Sequence, residues 1–451
     1  MLFPKEFVFG AAAASYQIEG AAYEDQKGLS VWDMFCKRQG AVKGNHTGDV
    51  ACDHYGRFAE DCLMMREMGL EAYRFSISWP RVLPDGTGTI NNKGLDFYDR
   101  LVDELLKYNI KPYATLFHWD YPYELHKKGG WLNPESPDWF SEYTKVVVER
   151  LSDRVKDWFT LNEPMTFVNL GYELGMHAPG LELDTYERLA ITHNTLLAHG
   201  KSVETIRSYS KQPANIGFAM GTTIKYPSSG AAEDINAARE YMFDMKCNGI
   251  WANTWWMDPI LLGSYPEDGI ELLGKYMPKI KQEDMKIISK PLDFLGLNIY
   301  NGGEVGRDKN GCNVEIPPRC GFPQTANTWT VTPEVIYWGP RFCYERYKIP
   351  IIVAENGMAG LDWICLDNKV HDYQRIDFIN RYIKELKRAI NDGVDVKGYF
   401  HWSLMDNFEW SEGYNHRFGL VHVDYATQKR TIKDSGIWYK KVIESRGDAV
   451  E

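Results

Sequence analysis

Eight short apolar runs recur along this chain, each followed by residues at helical spacing, and that alternation restricts the fold more than any other feature. The runs are "EFVFGAAAA" (6–14), "EAYRFSIS" (71–78), "KPYATLFH" (111–118), "DWFTLNE" (157–163), "ANIGFAMG" (214–221), "DFLGLNIY" (293–300), "IPIIVAEN" (349–356) and "VKGYFHWS" (396–403). Near-continuous apolar runs of this length read as strands buried on both faces, in a parallel sheet covered by helices. Between them, "GLDFYDRLVDELLKYN" places Leu95, Tyr98, Leu101, Val102, Leu105 and Leu106 at intervals of three and four, the stripe of an amphipathic helix. The stretch "DYQRIDFINRYIKELKRAINDG" repeats the pattern with Ile376, Ile379, Ile383, Leu386 and Ile390 and closes on Gly393. Eight such units predict an α/β fold, a single (β/α)8 TIM barrel with its active site at the C-terminal ends of the strands. No linker or charge block breaks the alternation, so residues 1–451 are read as one catalytic barrel domain. The stretch 301–332, rich in Gly, Pro and Cys, reads as one long loop after strand six.

The formal charge of −11 argues against nucleic acid, anionic membranes and multiply charged anions as partners, and favours a neutral small molecule. No apolar run is long enough to span a bilayer. The opening "MLFPKEFVFGAAAASYQ" lacks the layout of a signal peptide, so a cytoplasmic address is expected. Eight cysteines occur without a C-x-x-C pair or a His at zinc-ligand spacing and read as free thiols. The cluster Asp49, Asp53 and His54 in "GDVACDHY" prompts a metal-dependent alternative, but it follows no ligand spacing and reads as a hydrogen-bonded loop at a helix start. Neither metal nor cofactor is expected.

In parallel barrels the reacting groups sit at the carboxyl ends of the strands. Gln17 and Glu19 follow strand one, Arg74 lies in strand two, and His118 and Asn162-Glu163 end strands three and four. Asn298 and Tyr300 end strand six, Glu355-Asn356 strand seven and His401-Trp402 strand eight, with Glu409-Trp410 just beyond. Strands four and seven are expected on opposite sides of the barrel, so that Glu163 and Glu355 face each other across its mouth. Two facing carboxyls are the layout of a glycoside hydrolase, one protonating the leaving oxygen while the other attacks or activates water.

The stretches "SYQIEGA", "YRFSISWPR", "LFHWDYP", "TLNEP", "HAPG", "DFLGLNIY", "AENG" and "HWSLMDNFEW" occur in this order, and with them the whole chain resembles glycoside hydrolase family 1, the retaining β-glucosidase-type enzymes. The resemblance implies a β-glucosidase that removes terminal non-reducing β-D-glucosyl residues from β-glucosides and short oligosaccharides such as cellobiose, a step in cellulose degradation. Its range extends to β-galactosides and β-fucosides. Glu163 matches the general acid/base and Glu355 the nucleophile, with Arg74, Asn298 and Tyr300 as their supports. In a retaining pair the carboxyls stand about 5–5.5 Å apart. Arg74 and Tyr300 are expected to favour an ionised Glu355, whose charge would keep Glu163 protonated, and Pro164 is expected to bias Glu163 towards extended backbone.

Gln17, His118, Trp119, Asn162, Glu409 and Trp410 match residues that hold the sugar, with Trp402 stacking beneath it. Trp329 resembles an aglycone platform. The resemblance also implies a cis bond between Trp402 and Ser403. Relatives acting on 6-phosphorylated sugars carry Ser in place of Glu409, and Lys and Tyr in place of His416 and Phe418, so an unphosphorylated substrate is implied. "VAENG" and "NIY" depart slightly from the family pattern without touching a reacting charge. A non-catalytic sugar-binding relative on the same barrel is the alternative.

Overall fold

A computed structural model describes residues 2–450. Eight parallel strands close into a barrel: β1 (Val8–Ala12), β2 (Ala72–Ser76), β3 (Lys111–Phe117), β4 (Asp157–Asn162), β5 (Asn215–Gly221), β6 (Leu295–Asn298), β7 (Ile351–Asn356) and β8 (Val396–Trp402). They follow one another round the ring, and β1 pairs with β8 from Val8↔Gly398 to Ala12↔Trp402. All eight expected strands are present. Nearly every strand residue is buried, as a sheet filled inside and covered by helices outside requires.

The interior alternates small and large side chains. Ala12, Ala72, Ala219 and Ala354 leave room for Tyr113, Phe159, Phe294 and Phe400 in one cluster, the interdigitation that lets a barrel centre reach crystal-like density. Gly296 belongs to this scheme, since a Cβ there would stand 2.7 Å from the Phe159 ring. Outside the ring the expected helices form as Asn92–Lys107 and Tyr373–Asn391. The second ends where Gly393 takes φ 92° and donates to the Ile390 carbonyl.

Two expectations need correction. The stretch 301–332 is not one loop: Gly302–Arg307 and Asn313–Ile316 form a hairpin that pairs with Ile224–Pro227 in a three-stranded sheet. These strands are short and partly exposed, and the first of the hairpin is rich in glycine, so no apolar alternation announces them. Strands β4 and β7 are not diametrically opposed either; only β5 and β6 separate them on one side of the ring.

Asp53 caps helix His54–Glu67 in left-handed geometry, and His54 Nδ1 pairs with Asp61 at 2.8 Å, so the "GDVACDHY" segment is a packed helix start. No helix is long and apolar enough to cross a membrane among the described residues.

Candidate active site

The carboxyl ends of the strands open into a cavity of about 620 Å³. Register shifts fall between Val353 and Glu355 in β7 and between Phe159 and Asn162 in β4. A bulge re-aims the side chains beyond it, which answers why core-like strands finish on Glu: the last residues turn from wall to mouth.

Arg74 is the central post. Rising from β2 and only 1% exposed, it lies over the Phe159 ring at 4.6 Å and donates from Nε to Thr115. Its Nη1 meets Glu355 Oε1 at 2.7 Å, and its Nη2 meets Asn162 Oδ1 at 2.6 Å. Tyr300 donates its hydroxyl to the other oxygen of Glu355, also at 2.7 Å. Asn298 donates to Glu163 Oε1 at 2.7 Å and to Asn162 Oδ1 at 3.1 Å. Both lone pairs of Asn162 Oδ1 are thereby used, which fixes its amide so that Nδ2 points to His118 Nε2 at 3.0 Å. One N–H of that amide remains for a ligand.

Glu163 sits at the turn from β4 into helix Pro164–Tyr172. Its N–H continues the ladder to the Ala219 carbonyl, yet its φ and ψ are 45° and 62°. The expected extended backbone is therefore wrong. Strand and helix meet at this single residue with proline already at the helix N-terminus, and the left-handed conformation reverses the chain within that step. Trp119 (φ 82°) and Trp410 (φ 47°) share this conformation. Strain of about 1–3 kcal/mol at each is the kind held at sites that fix a side-chain direction. Gly221, at the end of β5, makes room for the Glu163 carboxyl, since a Cβ there would meet its carbon at 2.8 Å.

Burial raises the proton affinity of Glu163, Glu355 and Glu409. Glu355 is pushed up to about 7 by desolvation, with Arg74 opposing and Glu163 adding to the rise. Glu163 is raised by burial, against Asn298, Thr166 and Arg74. Arg74 and Tyr300 favour the Glu355 anion as expected, but burial outweighs them. The two carboxyls titrate as a pair, and the direct Arg74 contact places the charge of its half-ionised form on Glu355. Glu409 is pushed up to about 8 by burial and then by the charges of Glu355, Glu412 and Glu163. Its Oε2 is buried without a partner. His118 is driven well below the usual imidazole range by burial and Arg74, so it is neutral.

Aromatic rings complete the wall. Trp402 stacks on His118 with centroids 5.6 Å apart, and Trp410 packs on Trp119 at 4.6 Å. Trp329 rests on Tyr300 at 5.1 Å and on Phe418 at 6.2 Å, about a third exposed at the mouth. The Trp402–Ser403 peptide bond is cis. Of the residues singled out from the sequence, Gln17, Glu19, Arg74, Asn356 and His401 stand behind the wall and the others named for the reaction or the sugar line the cavity. Arg74 stands beneath Glu355, and Gln17 is fully buried, held by Asn407 Oδ1 and the Phe408 carbonyl, with its own Oε1 unpartnered.

Sequence reasoning missed Thr222 and Thr223 after β5, His177, Trp251 and, on the rim, Lys43 and Glu412, and named His416 only by contrast with phosphate-specific relatives. The threonines could have been found by applying the strand-end rule to β5; the others come from loops with no periodic signal.

The family model for glycosyl hydrolase family 1 matches residues 1–448. The chain is 47% identical over 451 residues to a 1,4-beta-D-glucan glucohydrolase of Thermotoga neapolitana, with 99% of each chain covered. It is 45% identical over 451 residues to beta-glucosidase A of Acetivibrio thermocellus, again with 99% of each covered. Among solved structures, a beta-glucosidase from Thermotoga maritima in complex with deoxynojirimycin matches with a TM-score of 0.90 at 44% identity, covering 99% of both chains. With its barrel and the two glutamates at its mouth in view, this chain belongs to glycosyl hydrolase family 1.

Proposed function

We propose that the protein is a retaining β-glucosidase in which Glu355 is the nucleophile and Glu163 the general acid/base, the whole chain acting as one catalytic unit. The observation that carries this reading is the division of partners between two carboxyls on one cavity. Glu355 receives a guanidinium and a phenol, whereas Glu163 receives only neutral donors. The first is equipped to carry charge and the second to hold a proton.

In the first step a Glu355 oxygen forms a bond to the anomeric carbon as the glycosidic bond breaks, and Glu163 gives its proton to the departing oxygen. The charge on Glu355 disappears into the ester. Glu163, now an anion free of a charged neighbour, takes a proton from water, which attacks the same carbon and releases Glu355. Two inversions retain the β configuration.

The free N–H of Asn162 suits the 2-hydroxyl. His118, Trp119, Glu409 and Trp410 hold the other hydroxyls with Gln17 behind them, over the Trp402 ring. Trp329 and Phe418 flank the leaving group. Glu409 is raised first by burial and then by the neighbouring Glu355, Glu412 and Glu163, and a phosphate dianion among these carboxyls would be repelled, so unphosphorylated β-glucosides and cellobiose are the substrates. Related names bear on this reading, since the relatives above are beta-glucosidases and a glucan glucohydrolase.

Initial rates on p-nitrophenyl β-glycosides (gluco, galacto, fuco, manno and 6-phosphogluco) with EDTA present test the proposal. Wild type should cleave the gluco compound and Glu355→Ala should not. If neither cleaves any of them while cellobiose still binds, the barrel is a sugar-binding relative and the assignment fails.

A further inference from the structure

The hydroxyl of Tyr300 reaches Glu355 from a stretch of chain that has left the sheet. The ladder of β6 ends with the bond from the Ile299 N–H to the Glu355 carbonyl at 2.8 Å. Beyond it, side chains take the next two carbonyls. Asn356 Nδ2 donates to the Ile299 carbonyl at 2.7 Å, and the Tyr382 hydroxyl, from helix Tyr373–Asn391, donates to the Tyr300 carbonyl at 2.8 Å. Both side chains are fully buried.

Each is also fixed from behind. A carbonyl only accepts, so the Asn356 amide must turn its Nδ2 to Ile299, and its Oδ1 accepts the Tyr399 hydroxyl of β8 at 2.8 Å. Successive strand residues point to opposite faces, so turning Glu355 to the cavity turns Asn356 towards the chain after β6 and towards β8. The Tyr382 hydroxyl accepts the Thr332 N–H at 3.1 Å while it donates to Tyr300, and its ring stacks on Phe378 with centroids 4.0 Å apart.

We propose that Asn356 and Tyr382 are positioning residues that hold the Tyr300 hydroxyl on Glu355. The inference rests on the reading of Glu355 as the nucleophile. The two carbonyls they bind belong to the peptide planes on either side of the Tyr300 Cα, and two fixed planes fix the direction of its Cα–Cβ bond. The ring magnifies any tilt at that Cα, and a displacement of about 1 Å takes the 2.7 Å contact with Glu355 out of hydrogen-bond range. Packing on the ring does not replace this hold. Trp329, which rests on it at 5.1 Å, is about a third exposed and belongs to the segment that Tyr382 itself ties down through Thr332.

The pH profile of kcat/KM on p-nitrophenyl β-glucoside tests the proposal, because its acid limb reports the nucleophile of the free enzyme. Tyr382→Phe and Asn356→Ala should each raise that limb by about 0.5–1 pH unit, less than Tyr300→Phe, since each weakens the contact without deleting it. In a Tyr300→Phe background neither should raise it further, a non-additivity that a structural defect unconnected with Tyr300 does not produce. Tyr439→Phe, which removes a hydroxyl from the Gly10 carbonyl of β1 at 3.0 Å, should leave the limb in place. The other charged groups facing Glu355, namely Arg74, Glu163 and Glu409, keep their side chains in every variant. Circular dichroism checks folding, and Tyr382→Phe, which keeps its ring, carries the test if Asn356→Ala does not fold. A limb left unmoved by Tyr382→Phe or by folded Asn356→Ala, or a shift that persists beside Tyr300→Phe, overturns the proposal. A limb left unmoved by Tyr300→Phe itself would bring down the reading of Glu355 and the proposal together.

Discussion

Glu409 offers a prediction in which structure sets both sign and size. Its carboxyl is buried with one oxygen unpartnered, and its proton affinity is raised from 4.5 to about 8. The folded chain therefore keeps a proton that the unfolded chain releases between those values. Where the folded state binds more protons, stability falls as pH rises, so this residue costs nothing below about pH 4.5 and progressively more up to about pH 8. At 1.36 kcal/mol per unit, the cost is about 2 kcal/mol at pH 6 and about 4–5 kcal/mol by pH 8. Glu409→Gln keeps the shape and the unpartnered oxygen, so only ionisation differs. At roughly 1–2 °C per kcal/mol for a chain of this length, the variant should melt about 2–4 °C above wild type at pH 6 and about 4–10 °C above it at pH 8. The same change should lower kcat/KM on p-nitrophenyl β-glucoside at least tenfold, because the amide replaces one of the two carboxyl oxygens that can accept from sugar hydroxyls. Melting curves from pH 5 to 9 on both proteins measure this. A difference in midpoint that does not widen with pH would refute the reasoning.

Other consequences concern the reacting pair. Tyr300→Phe removes a charge-assisted bond to Glu355 worth about 1.5–3 kcal/mol, so the acid limb of the kcat/KM profile should move up by about 1–2 pH units; an unmoved limb would contradict the assigned contact. Gly221→Ala places a methyl against the Glu163 carboxyl and should lower kcat about 10–100-fold while the fold, followed by circular dichroism, is retained. Glu163→Gln should lose far more rate on a poor alcohol leaving group than its glycosylation step loses on a dinitrophenyl glucoside, which needs little acid assistance; equal losses would assign Glu163 another role. Trp329→Ala should raise KM for aryl glucosides several-fold and leave inhibition by free glucose nearly unchanged.

The barrel was legible because its strands are buried on both faces, so each appears as an unbroken apolar run such as "IPIIVAEN". Helices such as Asn92–Lys107 were legible from one apolar stripe. The hairpin Gly302–Arg307 and Asn313–Ile316 was not, because a partly exposed edge sheet carries little hydrophobic pattern. Most candidate residues could be placed at strand ends, and the structure brings those, Gln17, Glu19, Arg74, Asn356 and His401 excepted, onto one cavity wall. What the sequence could not carry is the local conformation there. Nothing in "LNEP" announces a left-handed Glu163, and a lone Gly221 gives no sign that it makes room for a carboxyl. The charge balance was likewise misjudged for Glu355, since counting its partners omits the burial that outweighs them. Lys43, Glu412 and His416 reach the rim from turns whose position depends on the closed barrel.

The central claim is a double displacement at Glu355 assisted by Glu163, and the most direct measurement is the configuration of the first sugar released. Proton NMR of p-nitrophenyl β-glucoside hydrolysis, recorded before mutarotation, should show the β-anomer of glucose appearing first and the α-anomer growing in only later. Initial release of the α-anomer would mean a single displacement by water and would contradict the mechanism.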